Sequence, residues 1–108
     1  MTFIVRELPK ARSDKRRIVE WLIERSLQGA AAWLDAYDQM VERLKTQADA
    51  LPVAHESREL DLEVRQILFK TRGGRVYRAV YYVEAKNVYI LRVRGPGQAD
   101  IIPGDLVP

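Results

Sequence analysis

The chain has 108 residues, with 18 Lys and Arg against 15 Asp and Glu for a formal net charge of +3, and no cysteine. That length suits one domain, residues 1–108, built around a single modest core, and the missing cysteines exclude disulfides and thiolate metal sites. No uninterrupted apolar run suits a membrane span, and the N-terminal MTFIVRELPKAR carries charge where a secretory signal is apolar, so a cytoplasmic protein is expected.

The charge is unevenly placed. Residues 62–94 hold eight Lys and Arg against two Glu, whereas residues 26–61 hold three against seven Asp and Glu. A basic C-terminal half of this kind suits RNA, DNA or an acidic protein. The plainer reading is a solvated face with no partner.

In chain order, Thr2–Glu7 opens with apolar and β-branched residues and stops before Pro9, which reads as a strand ending near Leu8. A lone strand is unstable, so it is expected to join a later sheet. Ala11, Ile18, Trp21 and Leu22 then recur at helical intervals over residues 11–27, with Ser13 or Asp14 as candidate caps. The basic triplet Lys15-Arg16-Arg17 reads as the wet side of that helix, because Glu20 and Glu24 lie at helical pairing distance.

After Gly29, the series Trp33, Leu34, Tyr37, Met40, Val41, Leu44 and Ala48 steps by threes and fours and predicts a second helix over residues 30–48. Trp33 and Tyr37 lie on its apolar stripe and are expected in the core rather than as a stacking platform. The two helices should form an antiparallel hairpin on one face of a sheet. Residues 53–62 read as a loop holding the single histidine, His55, which has no companion metal ligand or nucleophile and is assigned to the surface.

From Glu63 to Gly95 three runs rich in Val, Ile, Leu, Tyr and Phe are separated by Gly73-Gly74 and by Glu84-Ala85-Lys86-Asn87, the pattern of an antiparallel meander. The central run is apolar on both parities, so one face should lie under the helices and the other present an open, partly apolar surface. If the parities of the last two runs coincide, Arg78, Arg92 and Arg94 converge beside Tyr82 on the face away from the helices. Residues 95–108 are rich in Gly and Pro and are expected to form an extended C-terminal arm.

The order of strand, two helices and three strands, with the segments ARSDKRRIVEWL, AAAWLDAYDQMVERL, EVRQILFK, RVYRAVYYVE and VYILRVRGPGQAD, resembles the RelE/ParE superfamily of bacterial type II toxins over nearly the whole chain. The resemblance implies an α+β fold, β-α-α-β-β-β, and a growth-inhibiting toxin held inactive by a cognate acidic antitoxin. RelE-like members cleave messenger RNA on the ribosome with basic residues on the second and third strands and an Arg and a Tyr near the C-terminus. Here Arg78 matches the third-strand arginine and Arg65 falls near a second-strand position, but no Arg, Lys or Tyr follows Arg94. Proton transfer needs groups of tuned pKa, and arginine stays charged. The chain is therefore expected to stand closer to the ParE-like members, which poison DNA gyrase, although Gly95-Pro96-Gly97 replaces the histidine often found after their last-strand arginine.

On that reading no catalytic residue, metal or cofactor is assigned. Arg78, Arg92, Arg94 and Gln98 are the expected target contacts, and Val80, Tyr82, Arg78 and Arg94 the expected antitoxin contacts. The enzyme alternative, a ribosome-dependent mRNA endonuclease, would rest on Arg65 and Arg78 through electrostatic stabilisation of a pentavalent phosphate. A third reading is an inactive relative whose arginine face only holds an acidic antitoxin segment.

Overall fold

Pro9 decides where the first strand stops and the first helix starts. At the first helical position its fixed φ suits the turn, and its missing N–H removes a donor that would have no partner there. In the computed structural model, which describes residues 2–98, β1 (Ile4–Glu7) leads into α1 (Pro9–Ile23) and α2 (Leu27–Gln47). A short 3₁₀-helix (His55–Glu59) follows, then β2 (Arg65–Phe69), β3 (Tyr77–Glu84) and β4 (Asn87–Arg94). Helix α1 thus begins two residues earlier than its apolar pattern suggests. Neither Ser13 nor Asp14 caps it: Leu8 holds the cap position, and Asp14 lies inside the helix, buried. The true side-chain cap belongs to α2, where Ser26 Oγ accepts from the Gly29 amide at 3.0 Å.

The strands form one sheet in the order β1-β4-β3-β2. The expected meander is present, with β2 antiparallel to β3 and β3 to β4. The N-terminal strand completes it, running parallel to β4 with Ile4 opposite Asn87 and Glu7 opposite Ile90. Glu84 pairs with Asn87, so the β3–β4 turn has only two central residues, and Ala85 takes a φ of 55° to close it.

Both helices lie against one face. The stripe Trp33, Tyr37, Met40, Leu44 and Ala48 of α2 is buried against Ile67, Phe69, Ala79, Tyr81, Val88, Ile90 and Val93 of the sheet. Trp33 packs on Tyr37, Phe69 and Tyr77 with ring centroids 5.4 to 5.6 Å apart, as its core assignment requires. Tyr81 donates to the Ala48 carbonyl at the end of α2 at 2.7 Å, which satisfies an acceptor the helix leaves open. Burial pushes the pKa of that phenol up to about 12 against the opposing charge of Arg65.

The other face is not open, contrary to the expectation from the β3 pattern. The β3–β4 register shifts between Val80 and Tyr81, which pair with Arg92 and Ile90 and leave Leu91 as the extra residue of a bulge. Val80 and Leu91 are buried with Ala54 and Val64 in a second small cluster, beneath a segment that includes residues 53–62, which the sequence predicts as a plain loop. Ser57 fastens the segment to itself, accepting from the Val64 amide at 2.8 Å and donating to the Val64 carbonyl at 2.9 Å. Of the strand residues on that face, Tyr82 is partly buried and stacks on Tyr89, centroids 4.9 Å apart. The arm expected over residues 95–108 lies, beyond Gln98, outside the described residues. No described helix is long and apolar enough to cross a membrane.

Ser26→Ala removes the only side-chain acceptor observed at the start of α2. It should lower stability by about 1 kcal/mol, measured as a downward shift of the thermal unfolding midpoint.

Candidate functional site

Arg78 and Arg94 are direct Cα partners across β3 and β4, and Arg92 faces Val80 two pairs further along. The backbone therefore brings the three arginines to one end of the sheet. Their side chains go to two different carboxylates.

Arg92 binds Asp14 through two parallel bonds, Nε to Oδ2 and Nη2 to Oδ1, both 2.8 Å. The same carboxylate accepts the Val93 amide at 2.9 Å, Arg17 Nη2 at 2.8 Å and Arg94 Nη1 at 3.5 Å. Strand β1 pairs only with residues 87–90 of β4, so at Val93 the side chain of Asp14 takes the place of a neighbouring strand. Asp14 is 4% exposed and Arg92 8%. Burial alone would raise the Asp14 pKa, but the hydrogen bonds from Arg92 and Val93 and the charges of Arg92 and Arg94 outweigh it and hold the carboxyl below its ordinary value.

Arg78 turns instead to Glu56 of the 3₁₀-helix, giving Nη1 to Oε1 at 3.0 Å and a second bond from Nη2 to Oε2, and it also reaches Gln66 Oε1 at 3.1 Å. Glu56 is buried. This pair ties the 51–64 segment to the sheet over the Val80 cluster. His55 Nδ1 lies 3.6 Å from Glu56 Oε1 with its side chain exposed.

The remaining predicted residues are dispersed. Arg65, at the start of β2, donates to the Leu51 carbonyl and to Glu63 at 3.0 Å. Gln98 closes the turn after β4, its Oε1 accepting from the Gly95 amide. A side chain at Gly95 would require the Tyr77 ring to shift, since a Cβ there would come within 2.9 Å of it. Val80 is fully buried and gives a partner no surface in this structure. Tyr82 lies opposite Tyr89, four residues along β3 from Arg78, so the arginines do not converge beside it. Its pKa is raised by burial and then by Glu84 and Tyr89.

Asp14 and Glu56, the acids that organise the arginines, were not among the predicted site residues. Asp14 had a signal: it falls between Ala11 and Ile18 on the apolar stripe of its own helix. Glu56 had none, because its partner is brought to it by tertiary packing. In the basic triplet of α1, Arg17 pairs with Asp14 three residues back and Lys15 with Glu7 of β1 at 3.4 Å, rather than with Glu20 and Glu24. Glu7 also accepts from Tyr37, whose phenol is raised well above its ordinary pKa by burial, by that bond and by nearby acids. Among the described residues no cluster of three or more His, Cys, Asp or Glu could hold a metal.

The family model for the ParE toxin of the type II toxin-antitoxin system, parDE, matches residues 5–99. The chain belongs to the ParE toxin family. The comparison with curated proteins gives no match. A ParE toxin is one half of a toxin-antitoxin pair, so an antitoxin is its implied partner. The α+β arrangement, two helices on a four-stranded and mostly antiparallel sheet, agrees with the fold expected from the resemblance.

Asp14→Asn leaves the Arg92 charge buried without its counter-ion, and should cost about 3–5 kcal/mol, read from chemical unfolding. Because the folded Asp14 carboxyl has the lowered pKa, its stabilisation is complete above the ordinary value of 3.8 and is lost as pH falls through the lower folded value. The acid limb of the wild-type stability profile should accordingly flatten in Asp14→Asn. Glu56→Ala should be strongly destabilising, whereas the paired change Glu56→Leu with Arg78→Met should fall within about 1 kcal/mol of wild type, since apolar replacement of a whole buried pair is often neutral.

Proposed function

We propose that this ParE family member is a cytoplasmic toxin that its antitoxin neutralises by direct binding, and that when free it inhibits DNA gyrase without catalysing a covalent step. The observation that carries the non-catalytic reading is the commitment of Arg78, Arg92 and Arg94 to carboxylates of the same chain. RNA cleavage by attack of a ribose 2′-hydroxyl needs one group to take a proton and another to give one. The arginine end of the sheet instead offers fixed positive charge, which suits recognition of an acidic surface. Arg94 and Gln98 are the proposed target contacts, with Arg78 and Arg92 fixing the strands that present them. Tyr82 with Tyr89 supplies the apolar part of the antitoxin face.

One observation favours a second reading. His55 stands beside the Glu56–Arg78 pair, so a titratable imidazole lies near the arginine that matches the nuclease pattern. A RelE-like endonuclease acting on the ribosome would use His55 for proton transfer and Arg78 for the phosphate.

Purified protein should inhibit supercoiling by gyrase, while primer extension on messages from induced cells shows no codon-linked cleavage. Arg94→Ala, which leaves Asp14 its four shorter bonds, should weaken inhibition by about tenfold, equivalent to about 1.4 kcal/mol, without loss of folding. Unchanged supercoiling at excess toxin, together with message cleavage that disappears in His55→Ala, would establish the nuclease reading instead.

A further inference from the structure

A groove of about 600 Å³ lies between α1, the start of α2, the turn before β3 and the turn after β4. Its walls are mostly apolar, with Ile18, Trp21, Leu22, Trp33 and Tyr77 among them, and the exposed Arg17 and Arg75 line it too. Asp14, its acidic lining residue, is already held by Arg92, Arg17 and the Val93 amide. The result is an apolar slot with positive charge beside it, of a size that takes a few side chains.

Two observations point to an occupant. Trp33 is 2% exposed, and its Nε1 has no hydrogen-bond partner among the described residues. Native interiors rarely leave such a donor unmet. Trp21 fits the apolar stripe of α1, yet it is 51% exposed beside the groove, with the Arg25 guanidinium 3.6 Å from its ring centroid. Among the described residues nothing covers that end of the stripe.

The place of Gln98 selects the occupant. Pro96 and Gln98 line the groove, so the chain passes out of the described residues at its edge. The sequence that follows, residues 99–108, is ADIIPGDLVP. It carries the apolar Ile101, Ile102, Leu106 and Val107 and the acidic Asp100 and Asp105, with no Lys or Arg. Apolar side chains suit the walls, and the two carboxylates complement Arg17 and Arg75. A proline has no N–H to strip of water and disfavours helix for the residue before it, so Ile101-Ile102-Pro103 suits burial as an extended chain. Ten extended residues reach about 33 Å, several times the breadth of a cavity of this volume. Tethering also favours this segment over a second copy, since a short linker holds it at about millimolar effective concentration.

We propose that residues 99–108 return to the molecule as a strap seated in this groove. Ile101 and Ile102 pack against Trp21, Leu22 and Tyr77, a main-chain carbonyl of the strap accepts from Trp33 Nε1, and Asp100 or Asp105 pairs with Arg17 or Arg75. The strap shields the apolar wall in the free chain, and any apolar partner of the groove has to displace it. The assignment is independent of whether gyrase or RNA is the target.

The test uses the full chain throughout. It holds two tryptophans and no cysteine, so Trp21→Phe assigns the Trp33 indole N–H signal in NMR spectra and Pro108→Cys carries a single nitroxide label. In the labelled chain the Trp33 indole signal should broaden, and the broadening should fade when Ile101→Ser and Ile102→Ser are added. Without the label, the same two changes should speed solvent exchange of the Trp33 indole N–H by at least about tenfold, equivalent to about 1.4 kcal/mol. Arg75→Glu should weaken the broadening, and Asp100→Lys with Asp105→Lys in that chain should restore it. Each variant should keep its cooperative unfolding, because Arg75 is exposed and the other changed positions lie outside the described residues. A Trp33 indole that exchanges at the wild-type rate in the Ile101→Ser/Ile102→Ser chain, with equal broadening in both labelled forms, overturns the proposal. Equal broadening of an unlabelled, isotope-enriched chain mixed with a labelled one assigns the groove to a second copy and overturns it as well.

Discussion

A single buried carboxylate holds the two layers of this protein in register. Asp14 comes from α1 and reaches the last strand, where it takes a main-chain amide and two arginines while holding Arg17 of its own helix. A buried ion pair adds little stability over apolar packing, but removing one member leaves a stranded charge. Its consequence here is positional. α1 cannot slide along the sheet without breaking bonds at fixed points on β4, and β4 cannot shift register without losing the amide contact.

The Glu56–Arg78 pair performs the corresponding task on the opposite face. It fixes the 3₁₀-helix over Val80 and Leu91, so the sheet is covered on both sides at its centre. Arginines that look like an electrostatic footprint in the sequence thus have structural duties first. The surface those duties leave accessible lies at the ends of the sheet and around the partly buried Tyr82–Tyr89 pair. The three arginines of one sheet end are therefore unequal. Arg92 is a buried tie, Arg78 an anchor with a limited exposed portion, and Arg94 the one whose bond to Asp14 is longest.

Much of the fold was legible because it follows from local periodicity. The 3-4 stepping of Trp33, Tyr37, Met40 and Leu44 located both a helix and its buried face, and the alternating runs after residue 63 located the meander. The Asp14 cap was misread because its strand partner lies 78 residues away and only its place on the apolar stripe of α1 marks it. The open second face was misread because nothing near Glu56 marks its pairing with Arg78. The bulge at Leu91 changes which residues share a face after it, so parity counted from Val88 does not carry through to Arg94. Trp21 fits the apolar period of α1 and is nonetheless half exposed, because the period describes a face and says nothing of whether another element reaches it.

The parallel pairing of the first strand with the last has a temporal meaning. β1 finds its neighbour only in residues 87–90, and Asp14 finds Val93. During synthesis the N-terminal third of the chain therefore leaves the ribosome with its sheet partner and its counter-ions not yet made. Pairings of such separation close late and slowly. The arginine end of the sheet takes shape only with β4, so Asp14 has no strand partner until residues 92–94 have been made.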